Sequence, residues 1–280
     1  MATAAAWLAC PHDGGPFALA DRVLRCDGGH TFDVARQGYV NLAVDDRHLA
    51  NADTAAMVAA RVSVHDHGVL AQVGRTLAEV VAELAPDART VLDVGAGTGH
   101  HTAVVLDHLG AASGLALDRS VRAARRAARV HPRLASVVAD AWATLPVRDD
   151  AVDVALHVFA PRNPAELRRV LREGGLVVVA RPLPDHLAEL RDHVPLIAID
   201  PDKGPRLAAA FGDGFSAASV HEVRSRVTVP RAVARDVVAM GPSAHHLDAD
   251  ALDAAVAALP DEVAVTVAVE IRTLRPTAGG

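Results

Sequence analysis

A glycine-rich loop and three carboxylates are the residues of this chain best suited to bind a ligand. The loop, Asp93-Val94-Gly95-Ala96-Gly97-Thr98-Gly99, stands between an apolar run and a helical segment. Glycines at such a position let the backbone approach a ligand closely and adopt dihedral angles that other residues avoid. Asp118 and Asp140 end the next two apolar runs. There, Asp118 can accept hydrogen bonds from both ribose hydroxyls of a nucleoside, and Asp140 can accept one from an exocyclic amine.

A second group of residues with chemical potential lies near the N-terminus. Both cysteines of the chain occur there, in Cys10-Pro11-His12-Asp13 and in Cys26-Asp27-Gly28-Gly29-His30. Zinc takes four ligands in a tetrahedron, and two ligands a few residues apart can chelate it through one turn. The two segments therefore resemble the halves of a zinc knuckle. A segment this short cannot bury a core of its own, so it needs a metal or a neighbouring domain.

Alternating strands and helices place the loop and the acids at one edge of a sheet. The sequence predicts strands near residues 90–94, 114–118, 135–138, 152–156 and 176–180, with helices between most of them. Strands joined in this way form a parallel sheet with right-handed crossovers. All three acids then stand at carboxyl ends of strands, where open parallel sheets bind ligands. A structural glycine turn or a dinucleotide site would explain the loop alone, but the three acids together favour S-adenosylmethionine.

The rest of the chain frames this predicted sheet. A helical pattern runs from about residue 50 to residue 84, ahead of the first strand. A second helical stretch, at 231–259, lies between two alternating runs at about 219–229 and 263–274. The two late runs predict an antiparallel pair at the edge of the sheet.

Composition excludes several classes of protein. The 280 residues carry 28 basic and 34 acidic side chains, a formal net charge of −6, which excludes a polycation that coats nucleic acid. Two cysteines are too few for a disulfide framework, as expected in a reducing compartment. No apolar run reaches the ~18 residues of a membrane span. These features predict a cytoplasmic protein without a membrane partner.

Residues 91–181 resemble the core of a class I methyltransferase, a Rossmann-like α/β fold whose sheet has seven strands. Nearly the whole chain is similar to the 23S ribosomal RNA guanine-N1 methyltransferases, which include enzymes that confer macrolide resistance in antibiotic producers. The segments that carry this resemblance are, in chain order, 26–42, 53–61, Val158-Phe159-Ala160-Pro161-Arg162-Asn163-Pro164, 185–190 and Met240-Gly241-Pro242-Ser243.

The resemblance implies a domain order and a set of binding residues. It implies a zinc-knuckle-like N-terminal domain at 1–45, a helical connector at 46–85 and an S-adenosylmethionine-dependent methyltransferase domain at 86–280. The zinc ligands would be Cys10, Asp13, Cys26 and His30. The cofactor would be held by residues of the loop, of the strand ends and of two family positions: Leu70, Asp93, Gly95, Gly97, Thr98, Gly99, His100, Asp118, Asp140, Ala141 and His186.

Three positions depart from the family pattern. Asp13 replaces a cysteine, Leu70 replaces the tyrosine of a Gly-His-Tyr motif, and His245 replaces a tryptophan. Asp13 or the adjacent His12 can supply a zinc ligand, but the loss of a thiolate weakens the site, and a knuckle packed without metal remains the alternative. Aromatic side chains stack on unpaired bases. Their loss therefore leaves two acceptors open: guanine N1 in a 23S rRNA hairpin loop, or a small natural-product intermediate of secondary metabolism.

No residue identifies itself as the base that takes the proton of the acceptor. His157, Arg162 and His245 are candidates for substrate positioning or for proton transfer. The histidine pairs His65/His67 and His245/His246 are not assigned to a metal, and the arginine stripe at 122–133 is interpreted as a solvated helix face with a phosphate contact as the alternative. A homodimer is left open.

Overall fold

The structure is a computed structural model that describes residues 1–44, 52–194, 196, 210–245 and 249–277. The N-terminal region begins with a short helix and a small antiparallel sheet: α1 (Ala2–Ala5), β1 (Phe17–Ala20), β2 (Val23–Cys26) and β3 (Thr31–Asp33). The main sheet contains, in chain order, β4 (Tyr39–Asn41), β5 (Thr90–Val94), β6 (Ser113–Asp118), β7 (Leu134–Val138), β8 (Val152–Val158), β9 (Leu171–Pro182), β10 (Phe215–Pro230) and β11 (Glu262–Pro276).

Nine helices are named among the described residues. After α1 they are α2 (Ala55–Asp66), α3 (Ala71–Leu84), α4 (His100–His108), α5 (Val121–Ala127), α6 (Pro164–Val170), α7 (Ala188–Arg191), α8 (Arg231–Ala239) and α9 (Ala249–Ala257). Within the described part of the chain, no helix combines the length and the apolar character needed to cross a bilayer.

The main sheet has the order β10-β11-β9-β8-β5-β6-β7-β4. Strands β5 to β9 pair in parallel, while β10, β11 and β9 pair antiparallel. The predicted class I methyltransferase fold and its late antiparallel pair are therefore confirmed. The seven expected strands are joined by β4, an eighth strand, which pairs in parallel with β7 at the opposite edge.

Both faces of the main sheet are covered, which explains why its parallel strands are almost entirely apolar. All five residues of β5 and all five of β7 are buried. Helices α3 and α4 pack with β5 and β9 in one core cluster. On the other face, Leu8 and Leu24 of the N-terminal region are fully buried in a cluster with Leu92 and Leu115 of the sheet. The N-terminal region thus gains from the sheet the core that it is too short to form alone.

The single helical pattern predicted for residues 50–84 is wrong in its continuity, because two helices occupy it. Residues 45–51 lie outside the described part of the chain. Thr54 caps α2 by accepting a hydrogen bond from the Met57 amide at 3.2 Å. The helix ends at Asp66, and Gly68 then adopts a φ of +69°. This left-handed conformation ends helices and favours glycine, so α3 starts anew at Ala71.

The stretch 231–259 is likewise divided, into α8 and α9, with residues 246–248 outside the described part. The turn predicted at Glu173-Gly174-Gly175 instead forms a bulge within β9. There Val152 of β8 pairs with Leu171, Val154 pairs with Leu176, and Gly174 has a φ of +72°. The predicted domain boundaries at 45/46 and 85/86 remain predictions.

Candidate cofactor site and N-terminal metal cluster

The glycine loop (Gly95–Gly99) leaves β5 and enters α4 under steric limits that exclude larger residues. Gly95 has a φ of +75°, and a Cβ there would lie 2.6 Å from Cβ of Ala160. Gly97 has a φ of +54°, and a Cβ there would lie 2.5 Å from Nη1 of Arg61. These positions need glycine both for the backbone conformation and for the approach of neighbouring chain. The loop therefore contacts the segment after β8 and helix α2 at the same edge of the sheet.

Asp118, at the end of β6, ties the glycine loop to the next strand. Its Oδ2 accepts a hydrogen bond from the Gly97 amide at 2.8 Å, and its Oδ1 accepts one from the Ser120 amide at 2.8 Å. Burial raises the pKa of this carboxyl, whereas the two amide donors and the nearby Arg61 charge lower it. The carboxylate is thus held at the carboxyl edge of the sheet, as the sequence predicts.

Asp93 is the more deeply buried acid, with 2% of its surface exposed. The Thr102 hydroxyl of α4 donates a hydrogen bond to Oδ2, and Oδ1 is buried without a hydrogen-bond partner among the described residues. Burial raises the pKa of Asp93 to about 7. An acid in this state exchanges its proton near neutral pH, and its second oxygen is left to bind a further group.

Arg61 and Asp53 also lie at this edge, although sequence reasoning gave them no role. Nη1 of Arg61 is 2.7 Å from Oδ2 of Asp53, and Nη2 donates to the Met240 carbonyl at 3.0 Å. The Asp53 carbonyl accepts from the Ser120 hydroxyl at 3.1 Å. Helix α2 thus places one arginine against the glycine loop and against the segment that begins at Met240. An eight-residue spacing to Asp53 was the only available signal for it.

Three histidines pack beside the loop and are held neutral. The ring of His65 in α2 stacks on that of His100 at 4.3 Å and meets that of His101 edge-on at 4.9 Å. Burial lowers the pKa of His65 and His100, and lowers that of His101 to about 4. Thr98, which is 1% exposed, has its hydroxyl 2.9 Å from Nδ1 of His100. Neutral imidazoles leave Arg61 as the fixed positive charge that acts on this group.

The segment after β8 contributes an exposed aromatic residue to the same edge. Phe159 has a φ of +56° and is 42% exposed, and its ring lies 6.1 Å from that of His186. His157, only 1% exposed, lies with Nδ1 3.0 Å from the Pro161 carbonyl. Burial lowers the pKa of His157 to about 4, so the neutral ring donates this hydrogen bond. The Nε2 of His157 and the Nε of Arg162 are buried without a partner in the described part of the chain.

The other predicted cofactor residues fall in different surroundings. His186 accepts a hydrogen bond from the Ala268 amide at 3.2 Å, and burial lowers its pKa to about 4. Leu70, 5% exposed, packs in the core cluster of α3 and the sheet. The side chain of His245 lies outside the described residues, so its predicted role stays a prediction.

Asp140 and Ala141 follow β7 beside a groove of about 670 Å³. The groove runs between residues 9–14 of the N-terminal region and residues 139–149 of the sheet domain, and Asp140 lines it. Oδ1 of Asp140 accepts from the Trp142 amide at 3.0 Å, and Trp142 itself is 64% exposed. Ala141 is 9% exposed. A polar strand end, a groove and an open indole therefore lie together on this side of the edge.

The N-terminal cluster (Cys10, Asp13, Cys26 and His30) is the group of candidate metal ligands found among the described residues, with its ligand atoms within 4.8 Å of one another. Nδ1 of His30 lies 3.1 Å from Oδ2 of Asp13, 3.3 Å from Sγ of Cys26 and 3.5 Å from Sγ of Cys10. Ligands around a tetrahedral zinc lie about 3.3–3.8 Å apart, given bonds of roughly 2.0–2.3 Å. The four predicted ligands therefore fit zinc.

Asp13 takes the fourth position of this cluster, and His12 does not. The Gly15 amide donates to Oδ1 of Asp13 at 2.9 Å, and this hydrogen bond is the main cause that holds the pKa of Asp13 well below its usual range. A Cβ at Gly28 would lie 2.0 Å from Oδ2 of Asp13, so the glycine is required for the aspartate to reach the cluster. The His12 ring instead packs against those of His30 and Phe32, at 4.7 and 5.9 Å.

Comparisons with known proteins agree with this geometry. A family model described as "RlmA, N-terminal", a zinc ribbon, matches residues 8–45, and one described as "Methyltransferase domain" matches residues 91–175. A 23S rRNA (guanine(748)-N(1))-methyltransferase of Streptomyces fradiae is 48% identical over 274 residues, covering 96% of this chain and 97% of the relative. A putative 23S rRNA (guanine-N(1)-)-methyltransferase of Micromonospora griseorubida is 43% identical, with 96% and 97% covered.

Solved structures support the fold. A putative methyltransferase from an antibiotic biosynthesis pathway of Anabaena variabilis superposes with a TM-score of 0.50 at 17% identity, covering 71% of this chain and 96% of that one. Fold, loop and matches together define an S-adenosylmethionine-dependent methyltransferase. More particularly, the chain belongs to the family of 23S rRNA (guanine-N1)-methyltransferases.

Proposed function

We propose that this protein transfers the methyl group of S-adenosylmethionine to N1 of a guanine in a hairpin loop of 23S ribosomal RNA. The observation that carries the proposal is the match over 96% of the chain to relatives that bear this activity in their names. That match includes the N-terminal cluster as well as the sheet, whereas the methyltransferase core alone would leave the substrate undefined.

The residues at the carboxyl edge of the sheet fit the cofactor. Asp118 would bind the ribose hydroxyls, and the enclosed Oδ1 of Asp93, which has no partner among the described residues, offers an acceptor beside the loop. Asp140 and Ala141 would face the adenine, and His186 would border the reactive end opposite Phe159. The close packing of Gly95 on Ala160 keeps this end of the site narrow, which excludes water. When bound, S-adenosylmethionine supplies an electrophilic sulfonium methyl and leaves as the neutral thioether.

The acceptor guanine would be held by aromatic side chains that the sequence alone did not single out. Trp142 follows β7 and Phe159 follows β8, and both are exposed at 64% and 42%. Stacking of an unpaired base on such a ring contributes about 1–3 kcal/mol, which offsets the aromatic residues replaced by Leu70 and His245. A hairpin loop presents its bases already unpaired, so no base has to leave a duplex.

His157 would position the acceptor through the loop after β8. Its hydrogen bond to the Pro161 carbonyl fixes the turn that carries Phe159 and Arg162, and its buried ring stays neutral. The N1–H proton of guanine leaves as the new N–C bond forms, and the half-buried Arg162 would stabilise the anionic character of the base during that step. Both roles are proposals for residues at which the sequence suggested positioning or proton transfer.

In the N-terminal region, we propose that Cys10, Asp13, Cys26 and His30 hold one structural zinc ion. The cluster lies beside the groove of 670 Å³ that also borders Asp140, so the zinc-bound segment would form one wall of the RNA-binding surface. Zinc would stabilise strands of only three or four residues that carry few core side chains of their own.

The proposed function is tested by transfer of a labelled methyl group to purified, unmodified 23S rRNA. We expect label in the RNA with the wild-type chain and none above background with Gly97→Asp, whose side chain would clash with Arg61. Gly110→Asp serves as the matched control, because a Cβ there meets nothing within 4 Å. Label that appears only in a small-molecule extract of the producing cell, and not in RNA, would overturn the proposal in favour of a natural-product acceptor.

A further inference from the structure

Arg61 is the charged side chain that lies across the glycine loop. Its Nη1 is 2.5 Å, and its Cδ and Cζ are 3.4 Å, from the place where Gly97 would carry a Cβ. The side chain is 24% exposed, so it is packed onto the loop and still open at its tip. An arginine in this place meets any ligand that the loop binds.

The surroundings of Arg61 orient its guanidinium. Asp53 holds Nη1 at 2.7 Å, and the Met240 carbonyl holds Nη2 at 3.0 Å. A guanidinium has five N–H donors in a planar fork, and these two contacts engage one N–H on each terminal nitrogen. The side chain is therefore held in place at low entropic cost for a further bidentate contact.

The charges at the edge are unequal without a carboxylate ligand to share them. The Arg61 charge lowers the pKa of His65 and of His101, and both stay neutral, while it favours the ionised form of Asp118. The ribose acid, the sulfonium and the ammonium of the cofactor can be balanced by Asp53 and Asp118. The α-carboxylate at the other end of the cofactor needs a cation, and helix α4 opens with uncharged histidines.

We propose that Arg61 binds the α-carboxylate of S-adenosylmethionine and so fixes the amino-acid end of the cofactor over the glycine loop. Asp53 acts as the positioning residue that aims the guanidinium. The inference concerns the cofactor, which the family membership establishes, and it does not depend on which acceptor is methylated.

Decarboxylated S-adenosylmethionine provides the test, because it lacks only the group that Arg61 would bind. Calorimetric titration of the wild-type chain should show binding of S-adenosylmethionine about tenfold to a hundredfold tighter than binding of the decarboxylated compound, as for a charge-assisted hydrogen bond. In Arg61→Gln this preference should shrink to about threefold or less through weaker binding of S-adenosylmethionine alone. Arg75→Gln, an exposed arginine of α3, should keep the wild-type preference.

Three results would overturn the proposal. The wild-type chain could bind both compounds equally, both compounds could weaken together in Arg61→Gln, or neither could change. The second result would assign Arg61 to the nucleoside or to the fold. If Arg61→Gln does not fold, Arg61→Lys decides, since a lysine keeps the charge but not the fork and should lose part of the preference. RNA methylation plays no part in these titrations, so their failure is distinct from failure of the proposed function.

Discussion

The cofactor edge (the carboxyl ends of β5 to β8) and the N-terminal cluster are built on opposite physical principles. Asp93 and the glycine loop extend from a strand whose five residues are all buried, so long-range packing holds them. Cys10, Asp13, Cys26 and His30 instead lie beside strands of three or four residues, and their mutual contacts of 3.1–3.5 Å link the region. The first site is preorganised by a core, and the second is preorganised by its ligands for a metal.

The largest effect should separate the two regions. Cys26→Ser keeps the shape of the side chain but removes one of two thiolates, so zinc affinity should fall by about a thousandfold or more. Asp13→Cys restores a thiolate and should raise zinc affinity. Competition with a chromophoric chelator measures both variants. Affinity for S-adenosylmethionine should stay within about twofold in each, and a parallel loss of cofactor binding would show that the two regions are not independent.

The second effect concerns pH and the buried Asp93. Its pKa of about 7 in the fold exceeds the unfolded value, so the folded state keeps a proton that the unfolded state loses. Stability from this group is complete below pH ~4 and is lost as the pH rises to about 7, a difference of about 4 kcal/mol. Asp93→Asn does not titrate, so urea unfolding at pH 5 and pH 8 should show a smaller loss in the variant. Equal losses in both proteins would contradict this role of burial.

A third, smaller effect is expected at the strand end of β6. Asp118→Asn keeps an acceptor for one amide but loses the negative charge, so cofactor affinity should fall about tenfold to a hundredfold. Asp107→Asn, at a carboxylate that is 70% exposed and pairs only with His131 in the described structure, serves as the control and should bind normally. Wild-type affinity in Asp118→Asn would remove this residue from the cofactor site.

The smallest effect should appear on the RNA side alone. Phe159→Ala removes an exposed ring, so the KM for an RNA fragment should rise about tenfold while cofactor affinity holds. Val220→Ala changes another exposed apolar residue, on the edge strand β10, and should leave both constants unchanged. If the KM in Phe159→Ala stays at the wild-type value, Phe159 does not stack on the acceptor base.

The sequence predicted the parts of both regions that depend on local spacing. The glycine loop, Asp118 and the two cysteine segments follow from strand ends and turns, and the structure places them as expected. Arg61 escaped notice because its position depends on how α2 packs over the sheet, which no spacing within the helix encodes. The same holds for β4, whose partner β7 lies about a hundred residues away, and for the break at Gly68, where an apolar periodicity of 3.6 continues across a left-handed residue.

The most direct test of the central claim is the identity of the methylated nucleoside. A 23S rRNA hairpin fragment is incubated with the wild-type chain and S-adenosylmethionine, digested to nucleosides and analysed by mass spectrometry against authentic standards. The account predicts 1-methylguanosine, absent from the Gly97→Asp reaction. Methylation of a different base or of a different guanine atom, or an unmodified fragment in the presence of bound cofactor, would contradict it.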